Sequence, residues 1–366
     1  MAYLLVTAGL ALAAGTPAVC AQNAVPTLHV YTNLVQVPTL VLSEDLKSIP
    51  SVKREQFVIS LDRGPAFHPT QMRMEGDDPV SLAILLDARG DQDDILKVFG
   101  KALSKLVPKY LHPTDHVSIY AIDCVLAQTA DQVPAEAAAL KAGVASALAS
   151  PGLHGPQQRG ACYTSIRLRD AIVRVAGTLG NRPGRRVFLV VSNGTDASST
   201  SGFAETVNFA ESRSVAIFGL RYWEDWDHNP VKFTGTSLSV RVGPITGSSG
   251  GDNDLFDQMC KSTGGLAFNL WNPELVHRWT PDVATPLQNL VHMLRGRYIL
   301  EFPRPDESKT GMHTIDISVP HTHHFVSATG VTYTNLDPAL LSDPTTIRSS
   351  PSPAAFGGRR PLEPKQ

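Results

Sequence analysis

The spacing of apolar residues changes twice along the chain, and these changes define its organisation. An unbroken apolar run from Leu82 to Leu86 ends abruptly at Asp87. Five apolar residues without alternation predict a strand buried on both faces, as in a parallel sheet flanked by helices. Ile95–Leu106 then has its apolar residues at helical spacing. Strands and helices continue to alternate up to Leu294, which predicts an α/β unit.

Segments typical of antiparallel β structure lie on both sides of this α/β unit. The N-terminal segments are Leu28–Leu42, expected to form paired strands, and Val52–Leu61, while the C-terminal segments are Tyr298–Phe302, His313–Val319 and His324–Tyr333. An order of β, α/β, β is most simply explained if the α/β unit is inserted between two β segments. We therefore expect the two ends to meet in one accessory domain that resembles a β-sandwich.

The N-terminus has the features of a signal peptide. Leu4–Gly15 is an apolar core, and Val19-Cys20-Ala21 resembles a small-residue cleavage site. No other apolar run approaches the roughly 20 residues that span a bilayer. The sequence thus predicts an exported protein, periplasmic or secreted, with no membrane span after cleavage.

These patterns divide the chain into five parts. They are a signal peptide at 1–21, an N-terminal β segment at 27–76, an α/β domain at 79–295, a C-terminal β segment at 296–335 and a disordered tail at 336–366. Hydrophobic residues make up 42% of the chain, which is enough for a sizeable core. The net charge of -2 gives no electrostatic reason to expect nucleic acid as a partner.

Polar residues collect where the predicted strands end. Asp87 follows the first buried strand, Cys162–Ser165 precedes a predicted helix, and Asn193 follows the apolar strand Val187–Val191. In open α/β sheets the functional crevice lies beyond the carboxyl ends of the strands. We therefore expect these positions to share one site.

In this arrangement the chain resembles a von Willebrand factor type A (VWA) domain, and more closely the VWFA-related family of exported bacterial proteins. The resemblance covers roughly Val30 to Asn335 and rests on the order and spacing of several segments. They are REQFVISLDRG, PVSLAILLDARG, DHVSIYAID, LRDAI, GRRVFLVVSNGTD, STGGLAF and RGRYILEF. The resemblance implies a doubly wound, largely parallel sheet with helices on both faces.

The resemblance also implies a metal-ion-dependent adhesion site at the strand ends. In that family a D-x-S-x-S loop, a Thr and a third-loop Asp supply oxygen ligands that suit Mg²⁺. This chain keeps the first acid as Asp87, but Arg89 and Asp91 stand where the two Ser residues would be. A guanidinium cannot ligate a cation, and it can pair with Asp87 or Asp91 instead.

The other two loops depart from the family pattern as well. Ile166 falls at the Thr position, although Thr164 and Ser165 are near enough to substitute after a small shift in register. Asn193 replaces the third-loop Asp and keeps an acceptor oxygen without the charge. We expect Asp196 to cap the loop or helix that follows it. The site is therefore interpreted as degenerate, with no cofactor and at most weak Mg²⁺ binding.

Three cysteines remain after signal cleavage. Cys124 and Cys162 are expected on the same rim of the sheet as Asp87, where an oxidising compartment would allow a disulfide between them. Cys260 falls in a predicted helix and is expected to behave as a small buried hydrophobe. Three buried free thiols are the alternative.

The sequence supports three functional hypotheses. The first is a secreted, non-enzymatic module that binds a protein partner through the crevice and the loop Tyr222–Asp252. The second is a VWA domain that still binds Mg²⁺ through Asp87, Asp91 and Asn193. The third is a hydrolase or nucleotide-binding enzyme on the same scaffold. The sequence argues against it, because no motif places a nucleophile–base pair or a phosphate loop.

Overall fold

The architecture is given by a computed structural model. It describes residues 29–31, 34–76, 78–88, 93–123, 125–149, 167–196, 199–222, 252–270, 283–304, 310–333 and 346–348. The strands in chain order are β1 (His29–Tyr31), β2 (Leu34–Leu42), β3 (Val58–Leu61), β4 (Gln71–Met74), β5 (Val80–Asp87), β6 (His116–Ile122), β7 (Leu126–Pro134), β8 (Arg185–Ser192), β9 (Val215–Arg221), β10 (Ala267–Asn269), β11 (Tyr298–Pro303), β12 (Gly311–His313), β13 (Ile315–Ser318), β14 (Phe325–Ala328), β15 (Val331–Tyr333) and β16 (Thr346–Arg348). The helices are α1 (Asp93–Ser104), α2 (Ala137–Leu148), α3 (Leu168–Leu179), α4 (Phe203–Ser212), α5 (Asp252–Ser262) and α6 (Ala284–Arg295).

The central sheet has six strands in the order β10-β9-β8-β5-β6-β7. The pairs from β10 to β6 are all parallel, and β7 runs antiparallel to β6 at one edge. Every residue of β5 is buried, as its unbroken apolar run predicts. The prediction of a doubly wound, mostly parallel sheet is confirmed.

Helices cover both faces of this sheet because alternate strand residues point to opposite sides. On one face Leu82, Ile84 and Leu86 share a core with α1, α2 and α6. On the other face Ala83 and Leu85 share a core with α3, α4 and α5. Two apolar layers therefore hold the strand ends of the sheet in fixed positions.

Both ends of the chain contribute to a second sheet, which is antiparallel and has the order β14-β2-β11-β4. A further antiparallel pair joins β3 to β13, again one strand from each end of the chain. Val37 on β2, Ile59 on β3, Leu300 on β11 and Ile317 on β13 lie in one shared core. The prediction that the N- and C-terminal segments meet in an accessory β structure is confirmed.

Two neighbouring chain segments connect the two sheets, and they are tied together by buried charges. Glu75 N–H donates to the carbonyl of Arg297 at 2.8 Å. The Arg297 guanidinium binds the Glu75 carboxylate through Nε at 2.6 Å and Nη2 at 2.8 Å. Arg295 binds the Asp115 carboxylate and donates to the carbonyl of Asp78 at 2.8 Å. These ion pairs and hydrogen bonds thus hold the segment that enters the α/β unit beside the segment that leaves it.

Several details of the chain ends differ from the sequence-based expectation. Leu28–Leu42 was expected to contain strands that pair with each other, but β1 pairs with β16 while β2 pairs with β11 and β14. That expectation is wrong because β2 is completed by C-terminal strands. β16 also lies inside the segment expected to be a disordered tail.

Candidate functional site

The crevice lies where the winding of the sheet reverses, between β5 and β8. From β5 the chain crosses to β6 on one side, whereas from β8 it crosses to β9 on the other. Such a switch point is where open α/β sheets bind ligands. Asp87 ends β5 beside Ser192, which ends β8, because Leu86 pairs with Val191 in register.

The Asp87 carboxylate is fully buried and accepts a hydrogen bond from the Ser192 hydroxyl at 2.6 Å. Tyr222, which follows β9, donates its hydroxyl to the backbone carbonyl of Asp87 at 2.9 Å. Both contacts are made by neighbouring strand ends and therefore join β5, β8 and β9 at the rim. The sequence reasoning singled out Asp87 but missed Ser192 and Tyr222.

Asn193 is held by its own loop. Its side-chain carbonyl accepts hydrogen bonds from the backbone N–H of Thr195 and from the Thr195 hydroxyl, each at 2.9 Å. The next residue, Gly194, has a φ of +83° and donates its N–H to the Ser192 hydroxyl at 3.0 Å. The positive φ favours glycine, and a Cβ on Gly194 would also stand 3.1 Å from the Phe256 side chain, closer than ordinary contact.

Asp196 stabilises the start of helix α3 from outside. One carboxylate oxygen accepts the backbone N–H of Arg169 at 3.0 Å and lies 3.2 Å from the Arg169 guanidinium. The other accepts the N–H of Ser199 at 3.2 Å. The expectation that Asp196 caps the loop or helix after it therefore holds for the loop and is wrong for α4, because the helix it caps is α3. Tertiary packing brings that helix to it, which no local sequence pattern shows.

A second acid lies on the same rim and was not singled out from the sequence. Asp123 follows β6 directly and is buried, and the Asp87–Ile122 register places it beside the end of β5. The signal that identified Asp87, an acid after an apolar strand, was present here too. Arg221 at the end of β9 forms a buried ion pair with Asp257 at 3.4 Å.

Asp170 organises the loop that leads from the rim into α4. It accepts hydrogen bonds from the N–H and hydroxyl of Thr200 and from the N–H of Ser201, at 2.8 to 3.0 Å. Burial alone raises the pKa of this carboxyl, but the hydrogen bonds from Thr200 and Ser201 outweigh it and lower the pKa from 3.8 to about 2. This anion ties α3 to the segment before α4.

Among the described residues, the rim oxygens make hydrogen bonds within the protein, and several positions of the predicted cation site fall outside the described residues. Mg²⁺ requires several oxygens that converge at about 2.0–2.1 Å in an octahedron. One oxygen of Asp87 accepts the Ser192 hydroxyl, the Asn193 oxygen accepts two donors of its own loop, and both oxygens of Asp196 accept protein N–H groups. Within the described residues, no cluster of three His, Cys, Asp or Glu side chains could hold a metal ion.

The remaining predicted site residues lie outside the described residues. They are Arg89, Asp91, Thr164, Ser165, Cys124 and Cys162, and most of the loop Tyr222–Asp252 falls outside as well. Their contacts therefore stay predictions. Cys260 is a free, fully buried thiol in α5, as expected, and burial raises its pKa well above the ordinary value.

No protein-family model matches the chain, and no curated protein matches it. Several solved structures are similar to it at low sequence identity. The conserved hypothetical protein BatB from Bacteroides thetaiotaomicron is 15% identical, with 59% of this chain and 99% of that protein covered and a TM-score of 0.37. Proximal thread matrix protein 1 from the mussel byssus is 12% identical, with 64% of this chain and 51% of that protein covered and a TM-score of 0.40. The manganese-loaded TRAP protein from Plasmodium vivax is 12% identical, with 70% of this chain and 95% of that protein covered and a TM-score of 0.34.

These similarities are too low to transfer a ligand or a partner to this chain. No helix in the described residues is long and apolar enough to cross a membrane. The fold itself follows from the observed strand order, the parallel pairs and the helices on both faces. The chain has the fold of a von Willebrand factor type A domain, with antiparallel accessory strands supplied by both of its ends.

Proposed function

We propose that the chain is an exported, non-enzymatic protein-interaction module whose metal-ion-dependent adhesion site is degenerate. Its partner surface consists of the strand-end crevice and the loop Tyr222–Asp252. The partner is a protein, and binding does not require a cation. Export rests on the signal-peptide pattern of residues 1–21.

One observation carries this proposal: the oxygens at the rim are already used within the protein. Asp87 accepts the Ser192 hydroxyl, and the Asn193 oxygen accepts both Thr195 donors. The Asn193 oxygen accepts one donor for each of its two lone pairs, so a cation at that oxygen would displace a hydrogen bond, and buried polar groups are costly to leave unmatched. The geometry therefore favours a rim that is held together by hydrogen bonds.

Arg89 adds a charge argument to the geometric one. It stands two residues after the buried Asp87, at a position where a cation-binding relative would have Ser. We propose that its guanidinium pairs with Asp87 or Asp91 and takes the place of the ion. A structure of the segment 89–92 in which Arg89 lies more than about 4 Å from both carboxylates would contradict this pairing.

The enzyme hypothesis finds little support at the rim. Ser192 donates a hydrogen bond to an acid, but its side chain is fully buried among the described residues. A nucleophile must reach the reacting atom and have a base within hydrogen-bond distance. We therefore assign the Ser192–Asp87 contact to positioning the strand ends.

Calorimetric titration with Mg²⁺ and Mn²⁺ tests the degenerate site. The wild type should bind either ion weakly or not at all. A variant with Arg89→Ser, Asp91→Ser, Ile166→Thr and Asn193→Asp should bind more tightly, because it removes the cation and restores the family's oxygen ligands. Micromolar affinity of the wild type would overturn the proposal and support the Mg²⁺-binding alternative.

Partner binding is tested separately by capture from an envelope extract, with and without EDTA. The proposal expects a protein that is retained in EDTA and lost from the Arg89→Glu variant. Lys141→Glu is a matched control, since Lys141 is an exposed cation on α2 and the charge change is the same. Loss of the captured protein in EDTA, or equal loss in both variants, would contradict the proposal.

A further inference from the structure

Asn193 is followed by glycine, and Asn193-Gly194 is the only Asn-Gly pair in the 366-residue chain. In such a pair the glycine nitrogen can attack the asparagine side-chain carbonyl carbon, because glycine has no Cβ to block the approach. The product is a five-membered cyclic imide. The loop around Asn193 supplies two further features that this reaction needs.

The first feature is a pair of donors on the reacting carbonyl. When the Gly194 nitrogen bonds to Cγ of Asn193, negative charge collects on Oδ1. That oxygen already accepts the N–H and the hydroxyl of Thr195, each at 2.9 Å. Donors fixed in advance on an atom that gains negative charge stabilise the transition state, as an oxyanion hole does.

The second feature is a path for the proton of the attacking nitrogen. The Gly194 N–H donates to the Ser192 hydroxyl at 3.0 Å, and that hydroxyl donates to the buried Asp87 carboxylate at 2.6 Å. As the Gly194 nitrogen attacks, its proton can pass to Ser192 while the Ser192 proton passes to Asp87. An ordered donor–acceptor chain of this kind is how proton transfer is assisted at active sites.

From this arrangement we propose that Asn193 is a self-modification site, where the folded protein deamidates its own side chain. The bond from Gly194 N to Asn193 Cγ forms, and the Gly194 N–H bond breaks. The Asn193 side-chain nitrogen takes up a proton from water and leaves as ammonia, which breaks its bond to Cγ, and Asp87 later returns the proton that it received to water. Water then opens the imide and leaves an aspartate or iso-aspartate at position 193, with no oxidant or reductant required.

The consequence is a new negative charge on the rim, in the loop beside the buried Asp87. The hydrogen bonds of Thr195 also serve an ordinary purpose, because they form a side-chain turn that shapes the loop. Gly194 is likewise required by its φ of +83° and its contact with Phe256. The experiment must therefore distinguish contacts that only stabilise the loop from contacts that accelerate deamidation. Its outcome does not depend on the proposed partner function.

A time course of peptide mass spectrometry provides this separation. The folded protein and the same protein unfolded in urea are held at neutral pH, and conversion of the peptide containing Asn193 is followed together with release of ammonia. The proposal expects faster conversion in the folded protein. Equal or slower conversion in the folded state would overturn it, since the fold would then protect Asn193.

Variants identify the groups responsible. Thr195→Val keeps the backbone donor but removes the hydroxyl, and should slow conversion about tenfold, less than the 10²–10³ lost with an enzyme's oxyanion donor. Ser192→Ala should also slow it by breaking the proton path. Asn193→Gln is the matched control, because its longer side chain cannot form the same five-membered ring and should show no conversion.

Thermal melting of each variant verifies that the fold is retained. If Ser192→Ala is unfolded, Thr195→Val and the comparison with urea still decide the question. Wild-type conversion rates in a folded Thr195→Val protein would overturn the role of the donor pair.

Discussion

At the scale of a single residue, the Asp170 carboxylate links two elements of the fold through hydrogen bonds. It joins the first turn of α3 to Thr200 and Ser201, which lie just before α4. Its folded-state pKa of about 2 lies below the ordinary 3.8, so the folded protein holds the anion more strongly than the unfolded chain does. The stabilisation is complete above about pH 4 and is lost as the pH falls through about 2.

We predict that Asp170→Asn lowers the free energy of unfolding by about 1 kcal/mol at pH 7, because the amide keeps one acceptor but loses the charge. The difference from wild type should shrink as the pH falls from 4 towards 2, when wild-type Asp170 becomes protonated. Urea unfolding at several pH values measures this difference.

Asp316→Asn is the matched control for this series. Asp316 is an exposed aspartate on β13. Its substitution should change stability little and without this pH dependence. A deficit of Asp170→Asn that is constant from pH 7 to pH 2 would show that the charge plays no part.

At this scale the sequence identified some site residues and missed others for a physical reason. Asp87 and Asn193 follow apolar strands, so the pattern alone placed them at the rim. Ser192 and Tyr222 became visible only when β5, β8 and β9 were aligned, because their hydrogen bonds join strands distant in sequence. Local patterns carry no information on such partners.

Among the elements, β6 ends at the rim and leads directly to the predicted disulfide. The described residues on either side of Cys124 stay close, since the Asp123 N–H donates to the Val125 carbonyl at 3.2 Å. We predict a bond from Cys124 to Cys162 that stabilises the exported protein by about 4 kcal/mol in the chain-entropy account, less any strain. Mass spectrometry of unreduced peptides should find the two cysteines linked.

Cys260 serves as an internal control for that measurement. Its thiol is buried in α5 and burial raises its pKa, so alkylation should require unfolding. Cys124→Ser should lower the melting temperature only under oxidising conditions. Three thiols that react readily in the native protein would contradict both the disulfide and the burial of Cys260.

Element types followed well from the sequence, whereas strand partners at the chain ends did not. The unbroken apolar runs of β5 and β8 and the helical spacing of α1 were enough to predict the type of each element. The sequence of β1 does not specify which strand it pairs with, and its observed partner, β16, lies more than 300 residues away. Pairing over that distance is decided by packing.

At the scale of the whole molecule, the Glu75–Arg297 ion pair joins the two chain segments that lead into and out of the α/β unit. Both side chains are nearly inaccessible to solvent, with 2% and 1% exposed. We predict that Glu75→Leu or Arg297→Met alone lowers the free energy of unfolding by about 3–5 kcal/mol, because each leaves a buried charge unmatched. The double variant should lose much less than the sum, as a double-mutant cycle in urea would measure.

The exposed pair Arg182–Asp131 is the matched control for this cycle. Its side chains are 30% and 50% exposed, and Arg182→Met should cost no more than about 1 kcal/mol. Additive losses in the Glu75–Arg297 cycle would show that the pair does not act as a unit.

The order of segments predicted that the two ends would join, because an α/β unit inserted between two β segments is the simplest explanation of that order. The buried ion pair at the junction between the two segments was not predicted. Glu75 and Arg297 lie 222 residues apart, and each looks like an ordinary surface charge in its own sequence context.

Strand β2 emerges early during synthesis, yet β11 follows roughly 260 residues later and β14 still later, and the contact between Gln36 and Glu301 joins residues 265 positions apart. Bringing such distant segments together costs loop-closure entropy until the α/β unit between them has folded. Until then β2 is an apolar strand with two open edges, the kind of segment that pairs with the wrong chain. A protein built this way depends on a period of protection until its last strands have been synthesised.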